Sequence, residues 1–181
     1  GEERLLNKLG YRLSQTLGEG SFSNAKATTF NKYKCPLTVK VMDQQQMSPD
    51  IVQEFLPQEV SIMHKIWHPN TMHIFEVAEV CNGKLYIMME AADTDLLQMV
   101  QETLPCVLEV WDIFVQVARA VQYLHNRNLM HWDLKCENVL LTTDGCWTKL
   151  SDFRFSKETS GSLDVSNTFC MSAAYAALEL V

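Results

Sequence analysis

Apolar and polar positions in this chain follow two periods, and the balance shifts from one to the other along its length. Tyr11-Arg12-Leu13-Ser14-Gln15-Thr16-Leu17 reads as a strand, and Gly18-Glu19-Gly20 turns the chain into a second strand reaching Lys26. Leu37-Thr38-Val39-Lys40-Val41-Met42 is rich in β-branched residues and predicts a third. Pro49 opens a helical stretch to about Trp67, with Val52, Phe55, Leu56, Ile62 and Ile66 on its apolar face. Pro57 divides that stretch into a short helix and a longer one with proline in its first turn. His68-Pro69-Asn70 punctuates, and residues 72–80 and 84–89 then predict a hairpin about Asn82-Gly83.

The second half is mostly helical. Residues 95–102 read as a short helix, and 109–126 as the clearest helix of the chain. There Val110, Ile113, Phe114, Val117, Val121 and Leu124 recur at three- and four-residue steps, with Arg119 and Gln122 off the stripe. Short strands at 138–141 and Thr148–Leu150 flank an Asp144-Gly145 turn, and 155–176, rich in Ser, Thr and Ala, reads as a mobile loop. Residues 1–10 are a helical or irregular lead-in. A β-rich half followed by an α-rich half is the order of an α+β protein with two lobes.

Composition narrows the class. The 181 residues are 47% hydrophobic and 20% charged, which suits a folded globular chain with a substantial core. A net charge of −7 argues against a binder of nucleic-acid backbone and suits basic peptide partners or simply a solvated acidic surface. Six cysteines without a C-x-x-C pair predict neither a zinc site nor a disulfide framework, and point to a reducing cytosol. No apolar run predicts a membrane span and no signal peptide is visible. The first residue is Gly1 rather than Met, so targeting signals can lie upstream.

Three segments carry chemistry. Gly18-Glu19-Gly20-Ser21-Phe22-Ser23-Asn24-Ala25 has two glycines that let a backbone come close to phosphates with its amides free. Lys40 closes an apolar run, where an ammonium is costly unless it meets phosphate and a carboxylate; Glu59 on the next helix is the counter-ion. The third is His131-Trp132-Asp133-Leu134-Lys135-Cys136-Glu137-Asn138 followed by Asp152-Phe153-Arg154. These resemble the glycine-rich loop, the strand lysine, the H-R-D-L-x-x-x-N catalytic loop and the D-F-G turn of protein kinases. Asp133 to Leu141, Glu79-Val80-Cys81-Asn82-Gly83-Lys84-Leu85-Tyr86 and Met171-Ser172-Ala173-Ala174-Tyr175-Ala176 further resemble the testis-specific serine/threonine kinase family.

That resemblance implies a two-lobed protein-kinase fold: a lead-in at 1–10, a complete small β-rich lobe at 11–89, and a C-terminally truncated α-helical large lobe at 90–181. It implies ATP–Mg2+-dependent phosphoryl transfer to protein serine or threonine. Asp133 would orient or deprotonate the substrate hydroxyl, Lys135 would neutralise the transferring group, and Lys40 would pair with Glu59. Asn138 and Asp152 would hold Mg2+. Nucleotide contacts would come from Leu17, Gly18, Gly20, Ser21, Ala25, Thr38 and Lys40, then from the gatekeeper Met89, the hinge at Glu90 and Ala92, Asp95 and Leu140. Met63, Ile74, His131 and Phe153 would stack between the lobes, and Thr168 matches the activation-loop phosphosite. By the same resemblance the protein works in the cytoplasm, and also the nucleus, of testis germ cells. Its partners would be basic protein substrates and a chaperone or partner kinase, with no nucleic acid and no membrane.

Several positions depart from the pattern. Ser23 replaces the third glycine, and Thr38 the alanine beside the adenine. Trp132 replaces the arginine that grips a phosphorylated activation loop, and Arg154 the glycine of the metal-binding turn. Ala177-Leu178-Glu179 stands at Ala-Pro-Glu, and the sequence stops at Val181. One expectation is therefore a serine/threonine kinase with impaired turnover. The alternatives are an inactive pseudokinase scaffold, or a truncated product or fragment without activity of its own.

Overall fold

The computed structural model describes residues 2–19, 23–30, 32–47, 49, 52–53, 56–80, 83–103, 105–142, 147–153, 156–158 and 175. The chain forms two compact units, Gly1–Glu54 with His73–Ala91, and Phe55–Met72 with Ala92–Val181.

The first unit is a five-stranded antiparallel sheet preceded by helix α1 (Glu2–Lys8). Its strands are β1 (Tyr11–Glu19), β2 (Ser23–Phe30), β3 (Tyr33–Asp43), β4 (Ile74–Val80) and β5 (Lys84–Glu90), in the order β1-β2-β3-β5-β4. Period-two patterning sorts the residues. Leu37, Val39 and Val41 of β3 share one face with Tyr86 and Met88 of β5, and Leu6 of α1 and Tyr11 join that core. An aromatic series runs through the same cluster. Tyr11 stacks on Phe30 at 4.4 Å, Phe30 meets Tyr33 at 5.4 Å, and Tyr33 meets Phe75 at 4.4 Å between ring centroids.

These rings explain why β2 and β3 outrun the strands read from the sequence. Phe30 and Tyr33 are paired partners at the end of the ladder, so a stretch too polar to read as strand is held extended by its aromatics. The hairpin of β4 and β5 pairs Val80 with Lys84, and Gly83 takes φ +75°, a conformation suited to glycine; residues 81–82 lie outside the described ones.

The second unit begins with α2 (Leu56–Lys65), with Pro57 in its first turn, where a missing N–H leaves no helical bond unmade. The segment ahead of Leu56 falls largely outside the described residues. Then come β6 (Thr94–Asp95), α3 (Leu96–Glu102), α4 (Val107–His125), β7 (Leu129–Met130), β8 (Val139–Leu141), β9 (Thr148–Leu150) and β10 (Lys157–Glu158). Strands β6, β8 and β9 form one small sheet, and β7 and β10 another. Most of 155–176, including Thr168, is outside the described residues. Within that expected loop, however, Lys157 and Glu158 pair with β7 as a short strand.

Ile62, Ile66, Ala120, Leu124, Leu129, Val139, Leu150 and Phe153 make the core of this unit, with Ile113, Val117 and Val121 packed against it. Two members of the expected α4 stripe are not in it: Val110 and Phe114 are exposed, together with Val107, Leu108 and Trp111. Positions 113, 117, 120 and 124 follow the 3.6-residue period most closely, and they mark the packed line.

Asn70 ties the segment after α2 to this core. Its Nδ2 donates to Gln116 Oε1 (2.8 Å) on α4 and to Thr148 O (3.1 Å), and its carbonyl accepts from Leu150 N–H (2.8 Å). Gln116 Oε1 also accepts the N–H of Thr148 at 2.9 Å, so β9 is fixed from both sides. The strand that leads to Asp152 is thereby held in register.

Candidate active site

In the first unit the second face of the sheet carries the nucleotide candidates. Lys40 lies opposite Ala25 on β2 and Ile87 on β5, and Thr38 opposite Ala27 and Met89. Ala25, Thr38, Lys40 and Met89 therefore share one face, with Thr38 buried between its cross-strand neighbours. Gly18 belongs to β1 and pairs with Ala25, so the strand runs through the first glycine rather than stopping before it. Leu17 is exposed, while Gly20 and Ser21 are outside the described residues.

After β5 the main chain is pinned stepwise. Glu90 N–H donates to His73 O at 3.0 Å and Ala91 N–H to Pro36 O at 3.3 Å; Ala92 N–H has no main-chain acceptor among the described residues. Glu90 Oε1 accepts the N–H of His73 at 2.6 Å.

The chemistry of the second unit gathers in the loop from β7 to β8. Asp133 is buried at 5% exposure. Its Oδ2 accepts from Asn138 Nδ2 at 3.1 Å and meets Lys135 Nζ at 3.2 Å, and its carbonyl accepts a second bond from the same Nδ2 at 2.8 Å. With Nδ2 committed to two oxygens of Asp133, the amide orientation of Asn138 is fixed, and its Oδ1 points away as an oxygen donor. Ser151 donates through both N–H (2.9 Å) and Oγ (3.2 Å) to Asn138 O, which sets the following residue, Asp152, beside the loop. Asp152 has φ +60°, an uncommon conformation for a non-glycine residue, of the kind found at sites that aim a side chain.

His131 couples the two segments. Its Nδ1 accepts the N–H of Asp133 at 3.3 Å, so Nε2 carries the proton and donates to Ser151 O at 2.8 Å. Burial holds its pKa below the ordinary histidine value, against the opposing influence of the Ser151 carbonyl and the Asp152 and Asp133 carboxylates. The ring also meets Phe153 edge-on at 5.2 Å, so it serves as a polar strut as much as a member of an apolar stack. Ser156 Oγ donates to His131 O at 3.3 Å, tying in the start of β10. Trp132, between these anchors, is held at φ +66°, and its indole Nε1–H is buried with no hydrogen-bond partner among the described residues. Arg154 is outside those residues.

The profile described as protein kinase domain matches residues 11–181. The chain belongs to the protein kinase family. It is 38% identical over 185 residues to testis-specific serine/threonine-protein kinase 1 of Mus musculus, a match covering 98% of this chain and 50% of that protein. The human protein of the same name is 37% identical with the same coverage, and the mouse kinase 3 is 35% identical over 99% of this chain and 67% of its own length. The chain thus spans about half the length of the first two relatives.

Of the candidate residues of this kinase chain, Asp133, Lys135 and Asn138 lie in mutual contact, and Asp152 follows the serine bonded to them. Asp95 caps α3, its Oδ1 accepting Gln98 N–H at 2.9 Å, and it pairs across β6 and β8 with Leu140. Lys40 belongs to the first unit and Glu59 to α2 of the second, with the Glu59 side chain outside the described set. Met63 is buried in α2, and Ile74 starts β4 of the other unit. In the sequence Asn70 stands only as punctuation after Pro69, and neither Gln116 nor Ser151 is part of a recognisable motif. Only Gln116 carries a signal, a polar side chain between Val115 and Val117, since polar groups in a packed stripe must find partners.

Proposed function

We propose that this chain forms the nucleotide-binding and phosphoryl-transferring part of a serine/threonine protein kinase, expressed in testis, with weak turnover. The observation that carries the reading is the buried Asp133 carboxylate, held by the Asn138 amide and the Lys135 ammonium. Such a carboxylate can accept a hydrogen bond from a substrate serine or threonine hydroxyl and draw its proton as the oxygen attacks. Lys135, already at Asp133, has the reach to neutralise charge on the transferring phosphoryl group. The hydroxyl is aimed by residues whose own positions are fixed by His131 and Asn138, so little reorganisation is needed.

The oxygen donors suit Mg2+, which prefers carboxylate and amide oxygens to nitrogen or sulfur. With Asn138 Nδ2 committed to Asp133, its Oδ1 is left as an oxygen donor; Asp152 follows Ser151, which bonds Asn138 O, and these two residues would hold the ion. When bound, the ion neutralises phosphate oxygens. On the sheet face, Ala25, Thr38 and Met89 would bound the adenine, and by the family's pattern Ala92 would contribute a hinge contact. By the same pattern Lys40 would meet the phosphates, and Leu17, Gly18, Gly20 and Ser21 would line them. Protein substrates, basic ones in keeping with the net charge of −7, and cytoplasmic or nuclear residence belong to this same reading.

A second reading, a pseudokinase scaffold, is favoured by Trp132: an indole whose N–H is buried stands where the family keeps a phosphate-gripping arginine. Thermal unfolding with ATP and Mg2+, with Lys40→Met as control, separates the two in part. A ligand that binds the native state alone raises stability by RT ln(1 + [L]/Kd). A Mg2+-dependent shift lost in Lys40→Met, followed by radiolabel transfer to a basic serine peptide, supports the enzyme. A shift without transfer leaves the scaffold, and no shift removes the enzyme and leaves a scaffold that binds no nucleotide or a fragment without activity.

A further inference from the structure

We propose that a basic, aromatic patch in the second unit, made by Trp67, His68, Arg119, Tyr123, Arg127 and Lys149, docks an acidic peptide segment of a partner protein through its carboxylates and one apolar side chain. Arg119 and Tyr123 are one turn apart on α4, and Arg127 follows one turn later, just past the helix end, so the three rise along one side of the helix.

Tyr123 organises the patch. The Arg127 guanidinium lies 3.9 Å above its ring centroid, the His68 imidazole packs at 4.9 Å, and its hydroxyl accepts the N–H of Trp67 at 2.8 Å. Trp67 is thus pinned by its main chain while its side chain is 71% exposed. Lys149 belongs to β9, whose flanking residues are bonded to Asn70, two positions beyond His68.

The charge is one-sided. Burial and then the fields of Arg127, Lys149 and Arg119 push the His68 imidazole below its usual pKa, so three cations bear on one ring. Neither Arg119 nor Arg127 has a carboxylate partner among the described residues. A guanidinium stacked on tyrosine is ordered without being neutralised, and it meets an incoming carboxylate already oriented. Exposed tryptophan beside arginine and tyrosine is the composition of an interface hot spot. Such a cationic spot is the exception on a chain of net charge −7. That overall charge repels a polyanion such as nucleic acid, which needs a long basic track, but tolerates a short acidic peptide contacting the patch alone.

The test is fluorescence anisotropy of a labelled peptide alternating glutamate with leucine, titrated with the full chain without nucleotide. A basic peptide of the same length and a single-stranded oligonucleotide of matching charge serve as comparisons. Saturable binding of the acidic peptide is expected, weakening as salt rises. Arg119→Ala with Arg127→Ala, and separately Trp67→Ala, should each weaken it by about tenfold. The surface exposure of Arg119 lets Arg119→Glu stand in should the double variant unfold, with the same loss expected. No binding by the wild type, equal binding of the oligonucleotide, or unchanged affinity in the variants each overturns the proposal. None of these readings depends on ATP, so failure here is distinct from failure of the kinase reading.

Discussion

Asn138 binds Asp133 twice, its Nδ2 donating to the backbone carbonyl at 2.8 Å and to the carboxylate at 3.1 Å. Both residues are buried, so the contact is a requirement of the loop and not a surface detail. Asn138→Asp would remove both donated bonds and set two carboxylates against each other out of water. It should lose about 2–4 kcal/mol of stability in urea denaturation. Asn138→Ala, which leaves only the lost bonds, should cost about 1–3 kcal/mol. Equal stability of Asn138→Asp and wild type would mean that the amide contact does not hold the loop.

Thr38 faces Met89 across β3 and β5 and Ala27 across β2 and β3. A β-branched residue there takes up volume on the face that carries Lys40. Trimming it with Thr38→Ala should tighten ATP binding by roughly tenfold, the scale of one methyl or hydroxyl in a fitted pocket. Titration of the thermal shift with ATP–Mg2+ reads the effect. Unchanged or weaker binding would show that Thr38 does not crowd the base.

Much of this architecture was legible from period and spacing. The β-branched run from Leu37 to Met42 marks a strand, as found in β3, and its alternation sets Leu37, Val39 and Val41 on the core face opposite Thr38 and Lys40. The second-unit cluster was readable because Asp133, Lys135 and Asn138 are close in sequence as well as in space. What could not be read were bonds between distant polar residues: Asn70 to Gln116 and Thr148, and His131 to Ser151. Nothing in the spacing of an asparagine after a proline tells which helix it will reach. The α4 stripe was read too wide, since several apolar faces overlapped and only packing chose among them.

His131 makes stability depend on pH. Both ring nitrogens serve backbone groups in the neutral form, and protonation would set a second N–H against the amide of Asp133. Its pKa in the folded chain is lowered from 6.5, so the unfolded chain takes up the proton first as pH falls. Stability is therefore complete above about pH 6.5 and declines below it. His68, also lowered, adds a loss of the same sign. Urea midpoints should fall from about pH 7 to about pH 5.5, and His68→Asn should reduce that fall without abolishing it. A flat or rising profile would contradict the assigned neutral state.

Gly10 joins α1 to β1 at φ +93°, and a side chain there would drive its Cβ into the ring of Phe30. Phe30 cannot step aside easily because it is stacked on Tyr11 and touches Tyr33. Gly10→Ala combines a disfavoured backbone with overpacking and should cost about 2–4 kcal/mol. A loss under about 0.5 kcal/mol in urea denaturation would mean that α1 and its connection are held too loosely to resist.

Trp132 offers the sharpest separation of shape from hydrogen bonding. Its backbone sits at φ +66° between the His131 and Asp133 anchors, and its indole N–H is buried without a partner among the described residues. Trp132→Phe keeps an aromatic ring but deletes the orphaned donor. Burying an unsatisfied polar group costs about 1–3 kcal/mol, while a slightly smaller ring loses roughly 1 kcal/mol of contact. The two terms nearly cancel with a small surplus on the polar side, so Trp132→Phe should leave stability unchanged or raise it by about 1 kcal/mol. Trp132→Gly relieves the backbone but removes the whole ring and should be destabilising by more than about 2 kcal/mol. If Trp132→Phe loses as much stability as Trp132→Gly, the indole N–H is not the unsatisfied donor that this prediction requires.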